Sequence, residues 1–308
     1  KSLRIARAIN NNPKICYTSG SWHGSVDQFL YKSNKNLKAV KLSSGLPDET
    51  LKNLILLPFN NLEKTKEILI KKKKKISSII IEPIQGSLPN HEIKKYLKFL
   101  SHYSKKNNIT LIFDEMITGI RTDCSSIQNY FGINAEISTF GKCFGGGLPI
   151  GIISISKKIS KKLKKIKPKV FFGGTFSGNS MSTYVGNDVL DYIIKNKKKI
   201  FSKINDNAEY FEKTLNNFFE EKNIDVKVYR FKSMLRLVFT KAKIKDRLGR
   251  DFLEEKKNKS IIQFKKYLRK QKIYMPSSGI IFFSYSHEKR HIEYLISKIK
   301  IGTLKYFV

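Results

Sequence analysis

The sequence predicts an α/β fold in which a mostly parallel sheet carries helices on both faces. The main observation is that short apolar segments alternate with helical segments up to about residue 221. This alternation is typical of parallel sheets, because a helix usually forms the crossover between neighbouring parallel strands. A second observation is that three apolar segments are followed by, or end in, an ionisable residue: Glu82, Asp114 and Lys142. Ligands of such sheets bind at the carboxyl ends of the strands, so these three residues are expected at one edge.

The apolar and amphipathic periods predict the individual elements. The opening KSLRIARAI has a helical period, and residues from about 27 to 58 show little periodicity and are expected to form a long loop. The helical region over about 181–221 is expected to be long. The remaining predicted elements of this part are strands at 14–18, 79–81, 110–113, 137–140 and 151–156, and helices at 62–75, from a cap at Asn90 to 106, near Lys157 and near Ser180.

The last part of the chain has a different pattern. Strands are predicted at 226–231, 234–239 and 280–285, with a helix over about 259–270. We therefore expect a large domain over residues 1–221 and a small C-terminal α/β domain over residues 222–308.

The composition is strongly basic. Lys and Arg number 60 against 25 Asp and Glu, which gives a net charge of +35. Such an excess normally suggests a nucleic acid or an anionic membrane as partner. Here the lysines are spread through every segment and the aromatic residues lie in apolar runs, so we expect only weak, salt-sensitive adhesion and no specific nucleic acid. No apolar stretch approaches the roughly 20 residues of a membrane span, so no membrane partner is expected.

Three cysteines, Cys16, Cys124 and Cys143, are too few and too unevenly spaced for a disulfide framework. This favours a reducing compartment, and with no signal peptide we expect a cytoplasmic protein. The chain begins at Lys1 inside a helical pattern with no capping residue before it, so we expect that its true beginning is missing.

The glycine-rich stretch ISTFGKCFGGGLPIG, residues 137–151, contains the most specific chemical signal. Lys142 follows a short apolar strand and precedes three glycines. A lysine delivered in this way can lie under a bound ligand without crowding side chains, which suits an amine that forms a Schiff base. Because the chain is so rich in lysine, only this position distinguishes Lys142 from the others.

Two further stretches complement Lys142. The segment LIFDEMITGIR, residues 111–121, ends its apolar run at Asp114 and Glu115. A carboxylate at the end of a strand can pair with a cationic ring nitrogen. The segment FFGGTFSGN, residues 171–179, offers hydroxyl and backbone N–H donors of the kind that bind phosphate.

With these three stretches the sequence resembles the class III aminotransferases, which are pyridoxal-phosphate enzymes of fold type I. Within that family it is most similar to the glutamate-1-semialdehyde 2,1-aminomutases. The resemblance extends from LRIARA near the start to FFSYSH near the end. It implies pyridoxal 5'-phosphate as cofactor, a small amino or keto acid as substrate, and transfer of an amino group through an aldimine on Lys142.

The resemblance also implies roles for the two catalytic residues. Lys142 would hold the cofactor and later carry a proton at the alpha carbon of the substrate, for which a buried, partly desolvated lysine is expected. Asp114 would keep the pyridine nitrogen protonated, so that the ring withdraws electrons. The alternative for Asp114 is a carboxylate that caps a neighbouring helix.

Five more residues are implied as cofactor contacts. Trp22 of the SWHG segment would stack on the cofactor ring, with His23 beside it, and the alternative is an ordinary core tryptophan. Met116 would pack under the ring, where a core methionine is the alternative. Glu82 lies at a strand end of the same sheet. Thr175 would reach the cofactor of a partner subunit, which makes a homodimer part of the mechanism.

Two departures from the aminomutase pattern keep other functions open. The chain reads EPIQGS, with Ser87 where those enzymes typically have Asn, and it has no acid between Pro276 and Tyr285, where they carry a glutamate. A class III transaminase acting on another amino or keto substrate, such as a surface-sugar precursor, is therefore an alternative. Further alternatives are a basic nucleic-acid-binding protein and a non-catalytic relative.

The segment HEKRH, residues 287–291, matches the HExxH pattern of zinc enzymes. Lys289 and Arg290 are unsuitable neighbours for a cation, and few residues remain to supply a third ligand. We therefore expect no metal site and interpret the segment as the start of the last helix.

Overall fold

The computed structural model describes residues 1–34, 36–72, 76–90 and 92–308. The chain forms two compact units. Unit 1 comprises Lys1–Pro83 and Glu92–Asn196, and unit 2 comprises Ile84–His91 and Lys197–Val308. These units are defined by packing, and the predicted domain boundary after residue 221 stays a prediction.

Unit 1 is built on a six-stranded sheet with the strand order β4-β1-β5-β6-β7-β8. All neighbouring strands pair in parallel except β7 and β8, which are antiparallel. A separate antiparallel pair, β2 and β3, precedes β4 in the chain. The strands of unit 1 are β1 (Lys14–Thr18), β2 (Tyr31–Ser33), β3 (Ala39–Lys41), β4 (Leu54–Leu57), β5 (Ile76–Ile81), β6 (Thr110–Asp114), β7 (Ile137–Gly141) and β8 (Gly151–Ile155).

The central strands are buried along their whole length. Every residue of β5 and of β6 is buried, as expected for strands covered by helices on both faces. The helices of unit 1 are α1 (Ser2–Asn10), α2 (Leu62–Lys71), α3 (Lys94–Lys106), α4 (Ile127–Phe131), α5 (Lys157–Lys165) and α6 (Ser180–Lys195). Ile5 and Ala6 of α1 pack with Ile15, Ile80 and Ile112 of the sheet. The prediction of a mostly parallel sheet flanked by helices is confirmed.

Several boundaries differ from the sequence prediction. The expected loop over 27–58 contains β4, which pairs in parallel with β1, because a four-residue apolar run is too short to show a period. The helix expected after Asn90 begins at Lys94, with Ile93 as its N-cap. The helix expected to reach residue 75 ends at Lys71, and residues 73–75 lie outside the described part of the chain.

Unit 2 is a three-stranded antiparallel sheet with helices. The strand order is β11-β10-β9. The helical region expected over 181–221 is broken at Asn196, so that α6 belongs to unit 1 and the next helix to unit 2. The elements of unit 2 are α7 (Lys197–Glu221), β9 (Lys227–Phe231), β10 (Met234–Val238), α8 (Arg247–Glu255), α9 (Asn258–Lys270), β11 (Ile280–Phe282) and α10 (Lys289–Phe307).

The two faces of β10 have different surroundings. Leu235 and Leu237 belong to a large apolar core that also contains Phe211 of α7, Phe264 of α9 and Ile296 of α10. Side chains alternate across a strand, so Met234, Arg236 and Val238 face the other way. An arginine in the middle of this second face is buried, which requires charged partners. None of the helices in the described ranges combines the length and apolar composition needed to cross a lipid bilayer.

Candidate active site

The carboxyl ends of neighbouring parallel strands bring Glu82, Asp114 and Lys142 to one edge of the sheet of unit 1. Ile81 at the end of β5 pairs with Phe113, and Asp114 at the end of β6 pairs with Thr139 of β7. Glu82 directly follows β5, and Lys142 directly follows β7. The strand register therefore aligns these three residues, as the sequence predicts.

Asp114 is the centre of a hydrogen-bond network at this edge. Its Oδ2 lies 2.7 Å from Nδ1 of His23, whose ring N–H donates to the carboxylate. Its Oδ1 accepts from Thr139 Oγ1 and from the backbone N–H of Met116, both at 3.2 Å. Three donors to one buried carboxylate fix its orientation. The arrangement therefore holds the carboxylate of Asp114 in a defined position at the strand end.

A carboxylate bound to the start of a neighbouring helix, the alternative role for Asp114, is found at the next residue, Glu115, while Ser126 is the N-cap of that helix. Glu115 accepts a hydrogen bond of 2.7 Å from the backbone N–H of Ile127, the first residue of α4, and one of 3.2 Å from Thr118. Glu115 is fully buried, and this burial raises the pKa of its carboxyl to about 7. Glu115 thus ties the end of β6 to α4, while Asp114 remains directed to His23.

His23 is held in an aromatic environment. Its ring lies edge-on to Phe29, with centroids 4.9 Å apart, and to Tyr17, with centroids 6.2 Å apart. The Nε2 atom is also buried and has no hydrogen-bond partner among the described residues. His23 therefore orients Asp114 through Nδ1 and carries a second polar atom on the opposite side of its ring.

Trp22 precedes His23 and is exposed, with a relative accessibility of 57%. The alternative of a core tryptophan is therefore wrong for this chain. The backbone N–H of Trp22 donates to Glu82 Oε1 at 2.5 Å. Glu82 is buried, so its carboxylate anchors the loop that carries Trp22 and His23 to the end of β5.

The backbone around Lys142 depends on glycine. A Cβ atom on Gly141 would lie 2.6 Å from Cε of Met116 and 2.7 Å from the carbonyl oxygen of Ile150. Met116 therefore packs directly beside the residue before Lys142. Lys142 itself has φ +55°, in the left-handed region that few residues other than glycine adopt.

Lys142 is exposed, in contrast to the expected buried lysine. The physical reason is local, because Gly145, Gly146 and Gly147 follow it and have no side chains to cover its amine.

The turn over residues 142–147, which carries Lys142 and the three glycines, packs closely on α6. A Cβ atom on Gly146 would lie 2.7 Å from Val189 Cγ2, and one on Gly186 would lie 2.7 Å from the carbonyl oxygen of Phe144. Small residues on both sides therefore let the turn and the helix approach each other. The position of Lys142 is fixed by this contact as well as by β7.

Thr175 is not brought into the network around Asp114. It lies in an exposed segment, residues 171–179, between α5 and α6. Phe176 beside it is 84% exposed, which is unusual for a phenylalanine. The sequence prediction for Thr175 concerns a partner subunit and stays a prediction.

Thr139 and Gly141 contribute to the site without having been singled out from the sequence. Thr139 is a hydroxyl residue inside the apolar strand β7, directly opposite Asp114 in the register. Its pairing could be found only once the alignment of β6 and β7 is known. Gly141 precedes Lys142, and its signal was the unusual run of glycines in the same segment.

The HEKRH segment serves as a helix start. Glu288 is the N-cap of α10, and its backbone N–H donates to His291 Nδ1 at 3.1 Å. His287 Nδ1 accepts from the backbone N–H of Ser284 at 2.9 Å. Across the described ranges, no group of three or more His, Cys, Asp or Glu side chains is arranged to hold a metal ion.

Comparison with known sequences gives consistent matches. The family described as aminotransferase class-III matches residues 1–272. The glutamate-1-semialdehyde 2,1-aminomutase of Methanosphaera stadtmanae is 30% identical over 309 residues, which cover 99% of this chain and 71% of that protein. The enzyme of the same name from Methanococcus vannielii is 32% identical over 313 residues, with coverages of 99% and 71%. That from Methanocaldococcus jannaschii is 34% identical over 241 residues, which cover 77% of this chain and 56% of that protein.

Comparison with solved structures gives the fold. An omega-transaminase from Sphaerobacter thermophilus superimposes with a TM-score of 0.89 at 19% identity, and the match covers 98% of this chain and 70% of the chain of that enzyme. A glutamate-1-semialdehyde aminomutase from Pseudomonas aeruginosa PAO1, in complex with PMP, superimposes with a TM-score of 0.86 at 16% identity. The match covers 100% of this chain and 69% of the chain of that enzyme. The predicted fold type I architecture is thereby confirmed.

Proposed function

Because the chain belongs to the class III aminotransferase family, we propose that it moves an amino group on a small amino or keto acid. The reaction type that we assign to it is that of the glutamate-1-semialdehyde 2,1-aminomutases, which its sequence resembles. The observation that carries this proposal is the pairing of β6 with β7, which sets the buried carboxylate of Asp114 beside the strand that delivers Lys142. A fixed anion and an accessible amine at adjacent strand ends are the two groups that this chemistry requires.

The cofactor of the family is pyridoxal 5'-phosphate, and the residues of unit 1 fit it. A carboxylate that accepts three hydrogen bonds suits a protonated ring nitrogen, and the exposed amine of Lys142 suits a covalent bond to an aldehyde. The exposed indole of Trp22 offers a flat apolar surface for a ring. When bound, the cofactor supplies an electron sink for a carbanion at the substrate.

The chain's own groups then have separate tasks. Asp114 holds the proton of the ring nitrogen, and His23 keeps the carboxylate in the orientation that this needs. Lys142 binds the cofactor and carries a proton to and from the alpha carbon of the substrate. Met116 and Trp22 would supply apolar contacts to the cofactor ring. Glu82 keeps the loop of Trp22 in position through its bond to the backbone.

We further propose a homodimer in which Thr175 contacts the cofactor of the partner subunit. Support comes from the apolar side chains that unit 1 exposes around this residue. The exposed residues of this surface are Phe171, Phe172, Phe176, Met181 and Tyr184. An exposed apolar surface of this kind is typical of a protein interface. A second copy of the chain would cover it and bring Thr175 to the other site.

A cytoplasmic location is part of the same proposal. Cys16, Cys124 and Cys143 form no disulfide with one another in the described part of the chain. Cysteines that remain outside disulfides are typical of proteins in reducing compartments.

A class III transaminase with a different substrate is the second candidate. Ser87 and the acid-free segment after Pro276 favour it, because both depart from the aminomutase pattern. The two reactions differ in their need for a second substrate. Turnover that requires an added amino donor and keto acceptor, and is absent with glutamate 1-semialdehyde alone, would support the transaminase.

The experiment that tests the proposed function is reduction with borohydride. Purified protein is incubated with pyridoxal 5'-phosphate, reduced, digested and mapped by mass spectrometry. We expect the phosphopyridoxyl label on the peptide that contains Lys142, and a visible absorbance band that borohydride removes. The label on other lysines only, or no label, would refute the proposal. Lys157→Ala is a matched control, because Lys157 is also exposed and follows the next strand, β8.

A further inference from the structure

Unit 2 contains a cluster of basic residues that the proposed chemistry does not use. Arg236 lies on β10, on the face opposite the apolar core, and Arg250 lies on α8. Both are buried, and Arg236 is only 4% exposed. Lys265 of α9 is partly buried and belongs to the same group. We call Arg236, Arg250 and Lys265 the basic cluster.

Two carboxylates lie beside the basic cluster, those of Glu254 and Asp251, and each contacts two arginines. Glu254 Oε2 lies 3.0 Å from Nη2 of Arg236 and 3.4 Å from Nε of Arg250. The other oxygen of Glu254 accepts from the backbone N–H of Phe239 at 3.1 Å. Asp251 pairs with Arg250 and, at 3.4 Å, with Arg247. Arg236 and Arg250 therefore share the carboxylate of Glu254, and Arg250 also contacts Asp251.

Lys265 adds a positive charge to the cluster, and its hydrogen-bond partner is an uncharged carbonyl group. Its Nζ donates to the carbonyl oxygen of Ser277 at 2.8 Å. Burial first, and then the charge of Arg236, lowers the pKa of this ammonium group. Burial and the charge of Arg250 likewise lower the pKa of Arg236 to about 10. The three cations of the cluster therefore outnumber the two carboxylates that contact them, Glu254 and Asp251, and two of these cations, Arg236 and Arg250, are buried.

Several polar atoms in and beside the basic cluster are buried and have no hydrogen-bond partner among the described residues. Arg236 Nε and Nη1 have no hydrogen-bond acceptor among the described residues. The hydroxyl of Ser87, whose own carbonyl oxygen accepts from Arg250, is also buried and unpaired within the described part of the chain. Buried polar groups are normally paired, so unpaired donors beside an excess of positive charge indicate an anionic ligand.

Both departures from the aminomutase pattern contact this cluster. Ser87 does so through Arg250. The segment after Pro276 does so through Ser277, which binds Lys265, and through Gly279, where a Cβ atom would lie 2.9 Å from Arg236 Nη1. Gly279 has φ +67°, so glycine suits both the backbone and the close approach. Two separate sequence changes therefore meet at the same charged group.

We propose that the basic cluster is a binding site for a small oxyanion, the carboxylate or phosphate group of a ligand. Arg236 and Lys265 supply the charge, and the hydroxyl of Ser87 supplies a further donor. The inference rests only on contacts within unit 2 and does not depend on the proposed function. A carboxylate would come from an amino or keto acid, and a phosphate from a phosphorylated ligand.

The test measures anion binding to the protein after incubation with pyridoxal 5'-phosphate. Isothermal titration uses inorganic phosphate in one arm and acetate in the other, at constant ionic strength set with chloride. The variants are Arg236→Met, which keeps much of the side-chain volume, and Lys265→Gln. The matched control is Lys266→Gln, because Lys266 is the next residue of α9 and is exposed.

We expect saturable binding of at least one anion by the wild type, weakened by about tenfold or more in Arg236→Met and in Lys265→Gln. Lys266→Gln should bind like the wild type. Binding in the acetate arm alone assigns the site to a carboxylate, and binding in the phosphate arm alone assigns it to a phosphate. If Arg236→Met does not fold, the comparison of Lys265→Gln with Lys266→Gln decides.

Two results would overturn the inference. One is the absence of saturable binding of either anion by the wild type, and the other is unchanged binding in the variants of the cluster. The borohydride label on Lys142 is recorded in the same preparations. A label without anion binding rejects the anion site alone, and anion binding without a label rejects the proposed function alone.

Discussion

His23 and Asp114 form a buried pair across 91 residues of sequence, with Nδ1 and Oδ2 2.7 Å apart. The side chains are 1% and 8% exposed. The pair joins the loop after β1 to the end of β6, and Thr139 of β7 binds the same carboxylate. Three strands of the sheet thus cooperate to fix one negative charge at the edge where Lys142 lies.

Asp114→Asn should leave the fold and cofactor binding intact and lower kcat by roughly a hundredfold or more, because a neutral amide does not stabilise a protonated ring nitrogen. Steady-state kinetics and the absorbance of the bound cofactor measure the two effects. His23→Ala should have a smaller effect on kcat, since it leaves the charge and removes only one of its three donors. Near-wild-type turnover of Asp114→Asn would remove Asp114 from the catalytic site.

Lys142→Ala should abolish the visible absorbance of the bound cofactor and lower turnover by roughly a thousandfold or more, since in the proposed function Lys142 is both the covalent attachment and the proton carrier. Circular dichroism should show an unchanged fold, because the side chain is exposed. Lys157→Ala, in the matched control, should retain spectrum and activity. An unchanged spectrum of Lys142→Ala would refute the assignment.

Gly141→Ala should destabilise the protein by about 1–3 kcal/mol, because the added methyl group meets Met116 and the carbonyl oxygen of Ile150. Gly151→Ala is the control, since a Cβ atom there has no heavy atom within 4 Å. Urea unfolding of both variants measures the difference. Equal stability of the two would contradict the packing described around Lys142.

Glu115 should make stability depend on pH. Burial raises the pKa of its carboxyl to about 7 from a usual value of 4.5. Between these values the folded state binds more protons than the unfolded state, so the free energy of unfolding should fall as the pH rises from about 5 to about 7, by roughly a few kcal/mol in total.

Glu115→Gln should flatten this dependence, because glutamine does not titrate and can still accept from the backbone N–H of Ile127. Glu49→Gln, at an exposed position, should keep the slope of the wild type. Urea unfolding at intervals between pH 5 and pH 8 measures all three proteins. A variant slope equal to that of the wild type would show that Glu115 does not titrate in this range.

Local patterns in the sequence were sufficient for the strands and for the residues at their ends. The apolar runs before Glu82, Asp114 and Lys142 are continuous, and charged or glycine residues mark where each run stops. A strand and its terminal residue are adjacent in the chain, so their relation needs no knowledge of distant segments. The short strand β4 was missed because its four apolar residues are too few for a period.

The sequence by itself therefore determined the α/β architecture, the family and the edge of the sheet at which Asp114 and Lys142 lie. Only the tertiary structure decided which side chains meet there: His23 and Thr139 on Asp114, and Met116 against Gly141. It alone brought Ser87 and Gly279 to the arginines of unit 2. The reason is that such contacts join residues far apart in the chain, and their partners are set by strand register and close packing, which no local period encodes.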